Sequence, residues 1–146
     1  MEKVLTNFDE SLALGHHNEK VIRHEFQYQG IPVQKTEGKN DFDFFLPDGR
    51  SVEVKIDLRS QATGCGAIEW PTVNRRADFY IYTFTYARVY THAELQALYL
   101  RGKIPGGGIG DLNYDGRIIK NMGREGLSLW QFIQDLKRKS LTQKAA

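Results

Sequence analysis

Between Asp41 and Asp57 the chain reads Asp-Phe-Asp-Phe-Phe-Leu-Pro-Asp-Gly-Arg-Ser-Val-Glu-Val-Lys-Ile-Asp. Apolar and charged residues alternate on both sides of Pro47-Asp48-Gly49, the pattern of two short strands with one buried and one polar face. The turn sets the register. Pro47-Asp48-Gly49 suits a type I turn followed by a glycine with positive φ, a three-residue hairpin loop closed by a bulge. That loop pairs Leu46 with Arg50, so Asp43 falls opposite Glu53 and Asp41 opposite Lys55, all four on one face. Phe42, Phe44, Val52, Val54 and Ile56 are expected on the other face, towards a core. A two-residue loop would set Phe44 opposite Glu53 and mix the faces. A one-residue slip turns a strand over, so the hydrophobic pattern itself supports the first register.

Carboxylates that face each other across a hairpin repel unless something positive lies between them. Lys55 supplies part of that charge, and a divalent cation would supply more. Mg²⁺ takes oxygen ligands and is commonly held by one or two carboxylates together with substrate phosphates. Held between Asp43 and Glu53, it would polarise a phosphoryl group and acidify a bound water. Lys55 could then orient that water and stabilise the developing charge. The arrangement suits phosphodiester hydrolysis. The plainer reading is a surface hairpin with ordinary cross-strand ion pairs, and for an isolated hairpin it is the commoner one.

Elsewhere the pattern is mixed α and β. Residues 7–27 read as a helix with Asn7 as its cap and Glu10 three residues on; Glu19 lies mid-helix. Adjacent His16 and His17 point in different directions and make poor joint ligands. Gly30 ends the helix. Residues 31–36 read as a strand, with Pro32 confining it to an edge or a strand start. The hairpin strands follow at 41–46 and 51–58. Residues 59–77 show no helical period; 67–70 could form a short strand stopped by Pro71, and Asn74-Arg75-Arg76 is a basic cluster able to hold a phosphate backbone. Residues 78–84 are a strong strand and 86–90 the next. Thr91-x-x-Glu94 caps a helix running to Gly102, and Ser128-x-x-Gln131 caps a last one over about 128–139.

Two segments imitate ligand loops. Gly106–Gly110 lacks the Gly-Lys-Ser/Thr of a nucleotide-binding loop. Asp111-Leu-Asn113-Tyr-Asp115-Gly116 matches the first half of an EF-hand, but Met122 stands where a bidentate Glu is required.

The 146 residues suit one domain with a proper core. A formal net charge of +2 permits nucleic-acid binding without arguing for it. The single cysteine, Cys65, excludes an internal disulfide and a cysteine-based metal cluster, and fits a reducing cytoplasm. Neither a signal peptide nor an apolar run of spanning length is expected.

A helix with Gly15-x-x-x-Glu19, a strand, Asp43, and ten residues later Glu53-Val54-Lys55 together resemble the PD-(D/E)xK nuclease superfamily, in particular its small resolvase-like members. Ala77–Tyr82 resembles a later core strand of the same fold, and the resemblance covers about residues 8–90. It implies a restriction-endonuclease-like αβββαβ core with a mixed central sheet flanked by helices. It implies Asp43 and Glu53 as metal ligands, the Val54 carbonyl completing the site, Lys55 as the catalytic lysine, and Glu19 as an added acidic residue. Mg²⁺ or Mn²⁺ is the implied cofactor and DNA the partner, with Lys39, Arg75 and Arg76 as candidate phosphate contacts. Asp41 competes with Asp43 for the aspartate role, and the register favours Asp43. The family usually has a clear helix after the lysine strand, where residues 59–77 show none. Many such nucleases act as dimers, and the Tyr80/Tyr82/Tyr86 face or the C-terminal helix is the candidate seam. The alternative is a catalytically silent member that binds nucleic acid or a protein.

Overall fold

The computed structural model of the chain describes residues 7–36, 42–104 and 116–145. Lys39, Asp41, the 106–110 glycine loop and most of the EF-hand-like segment lie outside the described residues.

Helix α1 (Asn7–Tyr28) buries Ile22 and Phe26. It stops at Gly30, whose N–H donates to the Gln27 carbonyl at 3.0 Å while the Ile31 N–H donates to that of Phe26 at 2.9 Å. These are the two bonds of a Schellman motif, which needs a left-handed residue; Gly30 supplies it with φ of +86°.

Strand β1 (Gln34–Lys35) pairs antiparallel with β2 (Phe44–Phe45), and β2 with β3 (Ser51–Ile56), Phe44 facing Val52. The hairpin has the expected loop. Leu46 N–H donates to the Arg50 carbonyl and Gly49 N–H to the Leu46 carbonyl, both at 2.9 Å, with Gly49 at φ +89°.

The flanking strands are shorter than expected, and one side chain is the reason. The Asp43 N–H donates to the Val52 carbonyl at 3.0 Å, while its Oδ2 accepts the Val54 N–H at 2.6 Å. A carboxylate has taken the place of a backbone acceptor, so the chain leaves the ladder at Asp43. The strand expected over 41–46 is reduced to two residues, and the one expected over 31–36 likewise. Phe42, expected with Phe44 on one face, packs instead against the core on the opposite side of the sheet.

After β3 come α2 (Ser60–Thr63), β4 (Cys65–Ile68) and α3 (Trp70–Asn74). Pro71 sits in the first turn of α3, where a missing N–H costs nothing. It therefore opens a helix rather than merely stopping a strand. Strand β5 (Phe79–Thr83) lies parallel to β3, and β6 (Ala87–Thr91) antiparallel to β5. Helix α4 (His92–Arg101) starts at Thr91 with both halves of its capping box made. Strand β7 (Arg117–Lys120) pairs with β4, β8 (Leu127–Ser128) with β6, and α5 (Leu129–Ala145) ends the described chain. Ser128 Oγ accepts the Gln131 N–H at 3.1 Å, but the Gln131 side chain turns to Asp135, so only half of the second box forms.

The six-stranded sheet runs β1-β2-β3-β5-β6-β8, beside the two-stranded β4-β7. It is mixed, since β3 and β5 are parallel and their neighbours antiparallel. The expected αβββαβ order is present, with α2, β4 and α3 together making the crossover. Two cores sandwich the sheet. On one side Val52, Phe44 and Ile81 meet Ile22 and Phe26 of α1 and Phe132 and Ile133 of α5. On the other Tyr80, Tyr82 and Tyr90 meet Val73 of α3, Leu95 and Leu98 of α4, and Ile119 of β7. Tyr80 and Tyr82 are thus buried under a second layer and cannot form the dimer face expected of them; Tyr86 is exposed. No helix among the described residues is long and apolar enough to cross a membrane.

Candidate active site

Alternation along β3 sends Val52 and Val54 into the α1–α5 core and Glu53 and Lys55 to the other face, in register with Tyr80 and Tyr82 of β5. That face is roofed by α3 and α4. Glu53 therefore carries its carboxylate into the interior and is only 3 % exposed.

Asp43 approaches from the β2 side. Its hydrogen bond to Val54 N–H holds one oxygen at the strand edge that the β2 backbone has vacated. A strand residue directs its N–H and C=O to the same side, so the Val54 carbonyl points to that edge too. The two oxygens of Glu53 differ sharply. Oε1 accepts a hydrogen bond from the Arg75 guanidinium and lies 3.9 Å from Lys55 Nζ. Oε2 is buried and makes no hydrogen bond among the described residues.

Burial raises both carboxyls from their ordinary values. For Glu53 burial outweighs the opposing pull of Lys55 and Arg75, and the nearby Asp43 charge adds to the rise. For Asp43 burial outweighs the Val54 hydrogen bond and the charges of Lys55, Arg75 and His16. The cations present do not neutralise the pair, because both side chains reach it from half-exposed positions. A buried carboxylate oxygen with no partner is costly. Oxygen donors from Asp43, Glu53 and the Val54 carbonyl are the hard ligands that Mg²⁺ or Mn²⁺ prefers. The donor set therefore fits a divalent cation.

The sequence expectations divide. Asp43, Glu53, Val54 and Lys55 converge. Glu19 of α1 is paired at 3.3 Å with Arg23 on its own helix, and no group of three or more His, Cys, Asp or Glu among the described residues is placed to hold a metal. Arg75, expected as a phosphate contact, is inside the site as a partner of Glu53. Arg76 is exposed just beyond α3 in a left-handed conformation, φ +57°.

Sequence reasoning missed a neighbouring cavity of about 210 Å³, lined by Lys55, Asp57, Glu69, Thr72 and Tyr82. Asp57 accepts the Ala67 N–H at 3.0 Å, and burial raises its carboxyl. Asp57 was findable, being two residues beyond Lys55 on the same face. Glu69 could be named from the sequence, with Gln61, as belonging near the site but not placed; the crossover brings it to the cavity wall. A larger cavity, about 460 Å³, lies at the turn end of the hairpin between Arg50, Ile31 and Lys137. It contains no facing carboxylates, so its size does not make it the site.

No protein-family model matches the chain, and no curated protein matches it in sequence. Among solved structures, Hjc of Archaeoglobus fulgidus, described as a Holliday junction resolvase from an archaeal hyperthermophile, is similar with a TM-score of 0.55 and 14% identity, over 82% of this chain and 95% of that one. At that identity the likeness is one of fold: a mixed α/β sheet flanked by helices, of the resolvase and restriction-endonuclease type.

Proposed function

We propose that the chain is a divalent-cation-dependent deoxyribonuclease of the PD-(D/E)xK type, hydrolysing phosphodiester bonds in branched or end-containing DNA. The observation that carries this is the buried Glu53, with Oε2 unpartnered, near the Asp43 carboxylate and beside Lys55 on a resolvase-like sheet. Asp43, Glu53 and the Val54 carbonyl would hold Mg²⁺ or Mn²⁺. When bound, the cation supplies a polarised phosphoryl oxygen and a water acidic enough to attack.

Lys55 carries the chain's own chemistry. Its ammonium group lies beside Glu53 at a half-exposed position, where it can orient the attacking water and stabilise charge on the phosphoryl oxygens. Lys39, Arg75 and Arg76 would contact phosphates and position the backbone. The branched substrate is suggested by the described activity of the similar Hjc structure. A four-way junction has two-fold symmetry, so symmetric cuts call for two copies of the chain.

The test is a panel of labelled DNAs (junction, flap, single strand, blunt duplex) incubated with Mg²⁺ or Mn²⁺. Cleavage of at least one form by the wild type, lost in Glu53→Ala and Lys55→Ala, supports the reading. Equal cleavage by the wild type and both variants would remove it.

One observation favours a second reading. Arg75 seated on Glu53 is also what a silent site stabilised by an ion pair would show. A nuclease-fold module of that kind would bind DNA in a salt-sensitive way and cleave nothing in any cation.

A further inference from the structure

Glu53 gathers two cationic groups on Oε1 and none on Oε2. The two arrive from different elements. Lys55 is fixed to β3, two residues along. Arg75 comes from the end of α3, with its side chain 43% exposed. A long side chain rooted at a helix end and half in water can leave a carboxylate and be rehydrated cheaply. A carboxylate 4% exposed cannot. Arg75 is also one residue from Arg76, on the basic end of the crossover that faces outward.

We infer that Arg75 is an exchangeable counter-ion: it holds Glu53 while the site is empty of cation, and passes to a DNA phosphate when the cation arrives. This rests on the nuclease reading above and adds a positioning and regulatory role to it. The physical basis is charge. A guanidinium in contact with a ligand carboxylate opposes a dication at the same carboxylate, and a phosphate oxygen is an equally good acceptor for it. Cation and DNA therefore help each other to bind, because each relieves what the other would meet. Linkage requires the help to be reciprocal.

The experiment titrates Mn²⁺ alone into the full chain by calorimetry, for wild type, Arg75→Ala, Arg75→Gln and Arg75→Lys. Arg75→Gln keeps a hydrogen-bond donor near Glu53, so the test survives should Arg75→Ala fold poorly. Removing the charge is expected to tighten Mn²⁺ by at least about tenfold in both neutral variants, the scale of a unit charge about 6 Å from a dication even when screened as in bulk water. Arg75→Lys, which keeps the charge, is expected to stay within a few-fold of wild type. Unchanged affinity in the neutral variants overturns the exchange while leaving the nuclease reading intact. Weaker affinity also overturns it, since Arg75 would then be a fixed clamp on Glu53. Absence of Mn²⁺ binding in every variant overturns both.

A second arm follows the handover itself. In EDTA, Glu53→Gln removes the tie between Glu53 and Arg75, which should strengthen junction binding and steepen its logarithmic salt slope by about one. In a double-mutant cycle that gain should vanish in the Arg75→Ala background. A gain that persists without Arg75 shows that Arg75 is not what DNA receives, and overturns the exchange.

Discussion

Glu53 lies in the middle strand of the hairpin's sheet, with one oxygen paired and the other bare. Its carboxyl and that of Asp43 are raised by burial above their ordinary values of 4.5 and 3.8. The folded chain thus keeps protons that the unfolded chain has given up. The stability contributed by the protonated forms is complete below those unfolded-state values. It is lost as pH rises through the higher folded ones. At neutral pH the site is therefore a cost. Glu53→Gln is expected to raise unfolding stability there by about 1 kcal/mol, because the partners it leaves behind are half-exposed and rehydrate. Urea denaturation against pH checks this; the variant's stability should fall less than the wild type's between acid and neutral pH. Glu19 is held by Arg23 on the helix that packs beside the hairpin strand. Glu19→Gln is expected to lower cleavage by about 10–100-fold, the range of supporting groups, and Glu53→Gln by more; the ratio of single-turnover rates decides. Asp43, Glu53 and Lys55 were legible because turn chemistry sets register. The partnership of Arg75 with Glu53, 22 residues apart in sequence, was not, because it depends on how the crossover folds back.

At the scale of elements, the hairpin turn carries the site. Gly49 at φ +89° closes the loop that sets Phe44 opposite Val52 and so brings Asp43 close to Glu53. Gly49→Ala meets no neighbouring atoms, so its cost is purely conformational, about 1 kcal/mol. Thermal melting should show that loss. A loss several times larger would mean the turn is held by contacts absent from this account. The capped helix at Thr91 and the strands near 79–83 and 87–91 were readable from capping residues and aromatic runs. Of residues 59–77 only a short strand was readable, expected at 67–70 and found at Cys65–Ile68. Helices α2 and α3 are four and five residues long, too short to show a 3.6-residue period, and β4 finds its partner in β7, about fifty residues away. The early end of β2 was hidden for another reason: a side chain, not a backbone break, ends its ladder.

At the scale of the molecule, the two-core sandwich explains why a hairpin's polar face became an interior site. Alternation showed which residues share a face but not that α3 and α4 cover it. That covering turns an ordinary charge pattern into desolvated carboxylates, and on the proposed reading this desolvation is what would make the whole chain responsive to a cation. Mn²⁺ at a hundred times its dissociation constant should stabilise the fold by about 2.7 kcal/mol, as for any ligand bound only by the native state. The effect should shrink in acid, where protons compete for the same oxygens.

The most direct measurement is anomalous diffraction from crystals of the chain soaked in Mn²⁺. A peak within coordination distance of Glu53 Oε2 and an Asp43 oxygen is the predicted result. An empty pair at saturating Mn²⁺, with Arg75 still on Glu53, would contradict the account.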